Sequence, residues 1–88
     1  MEYSIEIERK ALDFLKSLPV KHKRQVSKKI ESLRTNPYPP GSRQIKGQEA
    51  IWRIRSGDYR IAYTVRESRL LVLVVHIGDR KDFYRFFN

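Results

Sequence analysis

Residues 51–65 read IWRIRSGDYRIAYTV. Two runs rich in Ile, Trp, Tyr and Val flank Gly57-Asp58, a pair suited to a tight hairpin turn. The stretch therefore predicts a strand over 50–56, a turn, and a second strand over 59–66. Alternation places Trp52 and Ile54 on one face and Arg53 and Arg55 on the other. In the second strand Ile61, Tyr63 and Val65 share a side, while Arg60, Ala62 and Thr64 share the opposite one. A two-residue loop sets Ser56 against Tyr59 and Arg55 against Arg60. A four-residue loop gives the same partners; an odd-length loop or a bulge does not.

Like charges facing each other across a sheet cost roughly 0.2–1 kcal/mol. A phosphate held between two guanidinium groups turns that repulsion into bidentate attraction. Arg53, Arg55 and Arg60 are therefore candidate anion binders, with a merely solvated basic face as the plainer alternative.

Outward from the hairpin, Leu70 to Ile77 is a third apolar run, reached through a turn at Glu67-Ser68. The three runs make an antiparallel meander. On the N-terminal side, Asn36-Pro37-Tyr38-Pro39-Pro40-Gly41-Ser42 is a loop, because proline cannot continue a helix. Ahead of it, Val26, Ile30 and Leu33 recur at helical spacing within a helix over 21–35. Its other face carries Lys21, Lys23, Arg24, Lys28, Lys29 and Arg34. Ala11, Leu12, Leu15 and Leu18 mark an earlier helix that Pro19 closes. Tyr3, Ile5 and Ile7 alternate with Ser4, Glu6 and Glu8 as in a strand.

The order is β-α-α-β-β-β. It predicts an α+β fold, a helical hairpin packed on one face of a mainly antiparallel four-stranded sheet. The tail over 79–88 is expected to form a short terminal helix or turn. With 88 residues and no linker or repeat, a single domain over 1–88 is expected.

Lys and Arg number 19 against 10 Asp and Glu, a formal net charge of +9. Such a balance favours a polyanionic partner such as nucleic acid or a ribosome. The chain has no cysteine, which excludes a disulfide framework, a thiolate metal site and a cysteine nucleophile. The first residues lack a basic segment followed by an apolar run, so no signal peptide is expected. The longest apolar run, Leu70 to Val75, is too short to span a bilayer. A soluble, cytoplasmic protein is the expectation.

Beyond the hairpin, the ending VVHIGDRKDFYR (74–85) holds the other candidates. Gly78 marks a bend where the sheet stops, so Arg80 and Tyr84 can fold back toward the arginine face. There a guanidinium binds phosphate and a tyrosine ring stacks on a base. The competing reading has Phe83, Phe86 and Phe87 packing the tail, with Arg80 and Tyr84 merely bordering it. His76 titrates near neutrality. Simple pairing to the preceding strand puts it on the face of Tyr59 and Ile61, so it is read as structural. His22 opens the basic helix and is read as a surface residue. Asp79 and Asp82 are too sparse for a metal site, and there is no glycine-rich phosphate loop or nucleophile elbow.

The β-α-α-β-β-β order, the segment from Gly47 through IWRIRSGDYRIAYTV, and the ending VVHIGDRKDFYR together resemble the RelE/ParE toxin superfamily, most closely its RelE branch. The resemblance spans essentially the whole chain. It implies a small basic endoribonuclease that enters the ribosomal A site and cuts translating mRNA. Such an enzyme forms a 2′,3′-cyclic phosphate and needs no metal or other cofactor. It also implies a RelB-like antitoxin that wraps and blocks the toxin, in a complex that binds its own operator DNA.

Carried over, the family's functional positions fall on Arg53, Arg55, Arg60, Arg80 and Tyr84. Lys21, Lys23, Arg24, Lys28 and Lys29, with Arg43 and Lys46, would grip RNA or the ribosome. Well-known members have lysines where Arg53 and Arg55 stand. Arginine cannot be deprotonated in proteins, so these two are phosphate ligands rather than proton acceptors. The general base is left open among Tyr84, His76 and a group of the ribosome or mRNA. Two other readings are a ParE-like toxin that binds DNA gyrase without nuclease activity, and a catalytically weakened RNA- or protein-binding module on the same scaffold.

Overall fold

The computed structural model of the protein describes residues 2–87. Its elements are β1 (Ser4–Ile7), α1 (Arg9–Ser17), α2 (Val20–Ser32), β2 (Arg43–Ile45), β3 (Gln48–Ser56), β4 (Tyr59–Arg66) and β5 (Leu71–Asp79). Short 3-10 turns follow at Glu67–Arg69 and Phe83–Phe87.

The strands form one sheet in the order β1-β5-β4-β3-β2. β1 runs parallel to β5, and every other pairing is antiparallel. The expected four-stranded sheet thus gains a fifth strand, β2. Its three residues, Arg43-Gln44-Ile45, include two exposed polar ones, so no alternation betrays them. Gly47, at φ +83°, sits in the left-handed region that lets the chain turn at once from β2 into β3.

At the β3–β4 turn Gly57 takes φ +60°, the conformation required at the first position of a type II′ turn. This turn sets the expected register, with Ser56 opposite Tyr59 and Arg55 opposite Arg60.

Both helices lie on one face. Ala11, Leu15 and Leu18 of the first hairpin arm and Val26, Ile30 and Leu33 of the second are buried against Ile54, Ile61, Tyr63, Val72, Val74 and Ile77. Pro19 breaks the helices as expected and stands as the N-cap of α2. Tyr63 is wholly buried and its hydroxyl donates to the Pro37 carbonyl at 2.7 Å. That bond pins the proline-rich loop across the end of the core. His22, expected on the surface, is half-buried with its ring 5.5 Å from Tyr59.

The opposite face of the sheet carries a second, smaller core. Phe83, fully buried, packs with Ile45 and Ala62, and Ile51, Val75 and Phe87 close around them. The tail therefore forms a ridge over the sheet, held by Phe83.

Candidate nucleic-acid interface

One extra residue in β5 decides which side chains meet on the tail face. Ala62 pairs with His76, but Tyr63 pairs with Val74, so Val75 is inserted as a β-bulge. Strict alternation would send His76 to the helix side together with Val72 and Val74. The bulge moves it to the tail face, the side of Arg60 and Ala62, and corrects the placement expected beside Tyr59 and Ile61.

Two rows then cross the tail face. Arg43, Arg53, Ala62 and His76 are successive partners on β2, β3, β4 and β5. Arg55, Arg60 and Gly78 form the next row. Four arginines thus stand on one face of three adjacent strands.

Arg43, Lys46, Arg53 and Tyr84 line one cleft of about 400 Å³, whose remaining walls are Gln44, Ile45 and Phe87. Arg55 is exposed beside it. Arg60 is only 8% exposed, and its Nη1 has no hydrogen-bond partner among the described residues. The ion pairs among the described residues are Arg9–Asp13, Arg34–Glu31 and Arg85–Asp82. None involves Arg43, Arg53, Arg55, Arg60 or Arg80. These cations carry no internal carboxylate, which leaves their donors available to an external anion.

The other sequence candidates separate from this cleft. Arg80 lies exposed at the turn end of the sheet, in a hollow with Asp58, Asp79 and Lys81. The Asp79 carboxylate accepts the backbone N–H of Lys81 at 3.1 Å and of Asp82 at 2.8 Å. Arg80 thus lines a different hollow from the one Tyr84 lines. Lys21, Lys23, Arg24, Lys28 and Lys29 belong to α2, on the far side of the sheet from the arginine rows. Lys28 and Lys29 border a shallow hollow with Ser56 at the end of β3.

His76 stacks on Phe86 with ring centroids 4.1 Å apart and an interplanar angle of 13°. Burial holds its pKa below the usual histidine value. It lines a larger hollow of about 670 Å³ with Phe14, Phe86, Glu8, Arg9 and Lys10, separate from the cleft that Tyr84 lines. No cluster of three or more His, Cys, Asp or Glu residues suited to a metal ion occurs among the described residues. No helix among them is long and apolar enough to cross a membrane.

Sequence reasoning missed three contributors, Gln44, Ile45 and Phe87, which complete the wall of the cleft. It also missed the part played by Ala62 and Gly78, whose smallness in mid-strand is the signal that something large sits above them.

The helical hairpin and five-stranded sheet are those of the RelE-type toxins. The archaeal RelE in its RelE–RelB complex from Pyrococcus horikoshii OT3 superposes with a TM-score of 0.78 and 26% identity, over 92% of this chain and 98% of that one. The isolated RelE toxin of Escherichia coli shares the fold with a TM-score of 0.78, over 97% of this chain and 92% of that one. In sequence, the chain is 30% identical over 88 residues to a Methanocaldococcus jannaschii protein named as toxin RelE1, covering 97% of this chain and 98% of the relative. The family profile described as "ParE toxin of type II toxin-antitoxin system, parDE" matches residues 5–84. The chain belongs to this RelE/ParE family of type II toxins, as a RelE-like member.

Proposed function

We propose that the protein is a ribosome-dependent, metal-independent endoribonuclease that cuts translating mRNA in the A site. The observation that carries this reading is the cleft joining Arg43, Lys46, Arg53 and Tyr84, with Arg55 and Arg60 beside it and no paired carboxylate among the described residues. An RNA backbone laid along the two rows meets a guanidinium on each of three strands. The 2′-hydroxyl attacks the adjacent phosphorus. The new 2′-O–P bond forms as the P–O5′ bond breaks, leaving a 2′,3′-cyclic phosphate and a 5′-hydroxyl. Arg53, Arg55 and Arg60 stabilise the charge that grows on the phosphoryl oxygens, commonly the largest catalytic contribution.

Arginine does not accept the 2′-hydroxyl proton. His76, stacked on Phe86 away from the cleft, is not placed to do so. Tyr84, 43% exposed in the cleft, either stacks on a base or takes part in proton transfer beside groups of the ribosome or mRNA. Arg80 binds a more distant phosphate. The basic side of α2 grips ribosomal RNA. A cognate RelB-like antitoxin partners the chain, as RelB does RelE in the Pyrococcus complex, and the pair binds operator DNA. The protein acts in the cytoplasm.

The test is cleavage of mRNA on programmed ribosomes by wild-type protein and by Arg53→Ala and Tyr84→Ala variants. Wild type should cut ribosome-bound mRNA and spare free RNA, without added metal. Each variant should lose cutting by about 100-fold or more while staying folded. Folded wild-type protein that leaves ribosomal mRNA intact would refute the proposal. Because the matching profile describes ParE toxins, a gyrase supercoiling assay runs in parallel. Inhibition there, without cleavage, would establish the gyrase-binding alternative.

A further inference from the structure

We infer that Ala62 and Gly78 are positioning residues for Tyr84: together they leave a seat on the sheet that holds Phe83, and Phe83 sets where Tyr84 stands beside Arg43 and Arg53. The inference rests on the RNA-cleaving reading of that cleft.

Both residues sit among large neighbours. Ala62 lies between Arg53 and His76 in the first row, and Gly78 ends the second row beside Arg60. Ala62 and Phe83 are both wholly buried. Gly78 is not among the residues with positive φ, so its backbone conformation does not call for glycine. Its surroundings do. A Cβ at Gly78 would lie 3.2 Å from Phe83 Cα, 3.5 Å from Phe83 Cβ and 3.0 Å from His76 Nε2. The imidazole is the end of a side chain and can swing. Phe83 Cα is main chain, so relief there means moving the tail itself.

Tyr84 is the next residue, its ring 5.0 Å from that of Phe83 at 89°. Any displacement of the Phe83 backbone is passed to Tyr84 directly. Its neighbours Arg43 and Arg53 stay on the sheet, so the cleft changes shape on one side only. Misplacement by about 1 Å can cost on the order of 100-fold in rate, and a shift of a few tenths of an ångström a fraction of that.

The experiment is a double-mutant cycle of Gly78→Ala with Tyr84→Ala, read by single-turnover cleavage on programmed ribosomes. Gly78→Ala should slow cleavage about 10-fold when Tyr84 is present and less than about 2-fold when it is not. Full additivity would overturn the inference. Wild type and Gly78→Ala are labelled with 3-fluorotyrosine and read by ¹⁹F NMR. Gly78→Ala should shift the Tyr84 resonance and leave those of Tyr3 and Tyr38 in place. An unmoved Tyr84 signal overturns the inference whether or not the wild type cleaves, whereas a silent wild type refutes the proposed activity alone. Should Gly78→Ala fail to fold, Phe83→Leu loosens the same anchor without adding volume and enters the same cycle and the same spectrum.

Discussion

Replacing Arg60 by methionine should make the fold more stable and the protein less able to hold RNA. Arg60 is 8% exposed, its Nη1 has no hydrogen-bond partner among the described residues, and it faces Arg55 across the β3–β4 ladder. An unsatisfied buried donor costs about 1–3 kcal/mol, and a like-charge cross-strand pair roughly 0.2–1 kcal/mol more. Methionine keeps the length of the aliphatic stem and removes both penalties. The expected gain is on the order of 1–3 kcal/mol. In a domain of this size each 1 kcal/mol corresponds to about 4–8 °C in Tm.

Urea denaturation followed by circular dichroism reads the gain as a higher midpoint at unchanged slope. RNA binding should move the other way. A hydrogen bond from a charged donor contributes about 1.5–3 kcal/mol, so affinity for a short single-stranded RNA should fall roughly 10- to 100-fold. Loss of 1 kcal/mol or more of stability in Arg60→Met would refute the reasoning, because the guanidinium would then be working for the fold rather than waiting for an anion.

Two pH-dependent predictions follow from buried rings. Burial raises the Tyr63 phenol to about 12, so the unfolded chain deprotonates first. The Tyr63 contribution is intact below about pH 10 and is lost between about pH 10 and pH 12; Tyr63→Phe should reduce the alkaline slope, leaving the smaller part due to Tyr3 and Tyr38, while losing about 1 kcal/mol at neutral pH with the Pro37 bond. For His76, burial lowers the pKa, so its contribution is present above the unfolded value of about 6.5 and is lost as the pH falls through the lower folded value. His76→Phe should flatten this acid-side loss in a urea series at stepped pH and leave mRNA cleavage within about 3-fold of wild type; loss of cleavage would return His76 to the reaction.

The hairpin was legible because local chemistry determines it. Gly57-Asp58 admits one short turn, the turn fixes the register, and the register makes Arg55 face Arg60. The helix faces were equally legible, since Val26, Ile30 and Leu33 are buried at helical spacing. The misreadings lie where a single residue departs from its period. Val75 adds one step to β5, and no property of valine announces a bulge, so His76 was assigned to the wrong face. β2 is three residues long, with exposed Arg43 and Gln44 and only Ile45 buried, too little pattern to detect. Arg80 and Tyr84 both follow Gly78 yet line different hollows, and the residue pattern does not show the Asp79 turn that lies between them. The grouping of Arg43 and Lys46 with Arg53 follows from β2, and so was invisible until that strand was.

The sheet order has a consequence for synthesis. β1 pairs with β5, Ser4 opposite Leu71, so the first strand made waits 67 positions for its neighbour. β5 is also an interior strand, flanked by β1 and β4. The sheet is therefore completed from the inside, by a strand that follows the other four in the chain. Contacts so far apart in sequence form late, after the entropy of closing a long loop has been met. Phe83 and Tyr84 follow β5 in the chain, so the tail face closes only onto a sheet that already has its interior strand.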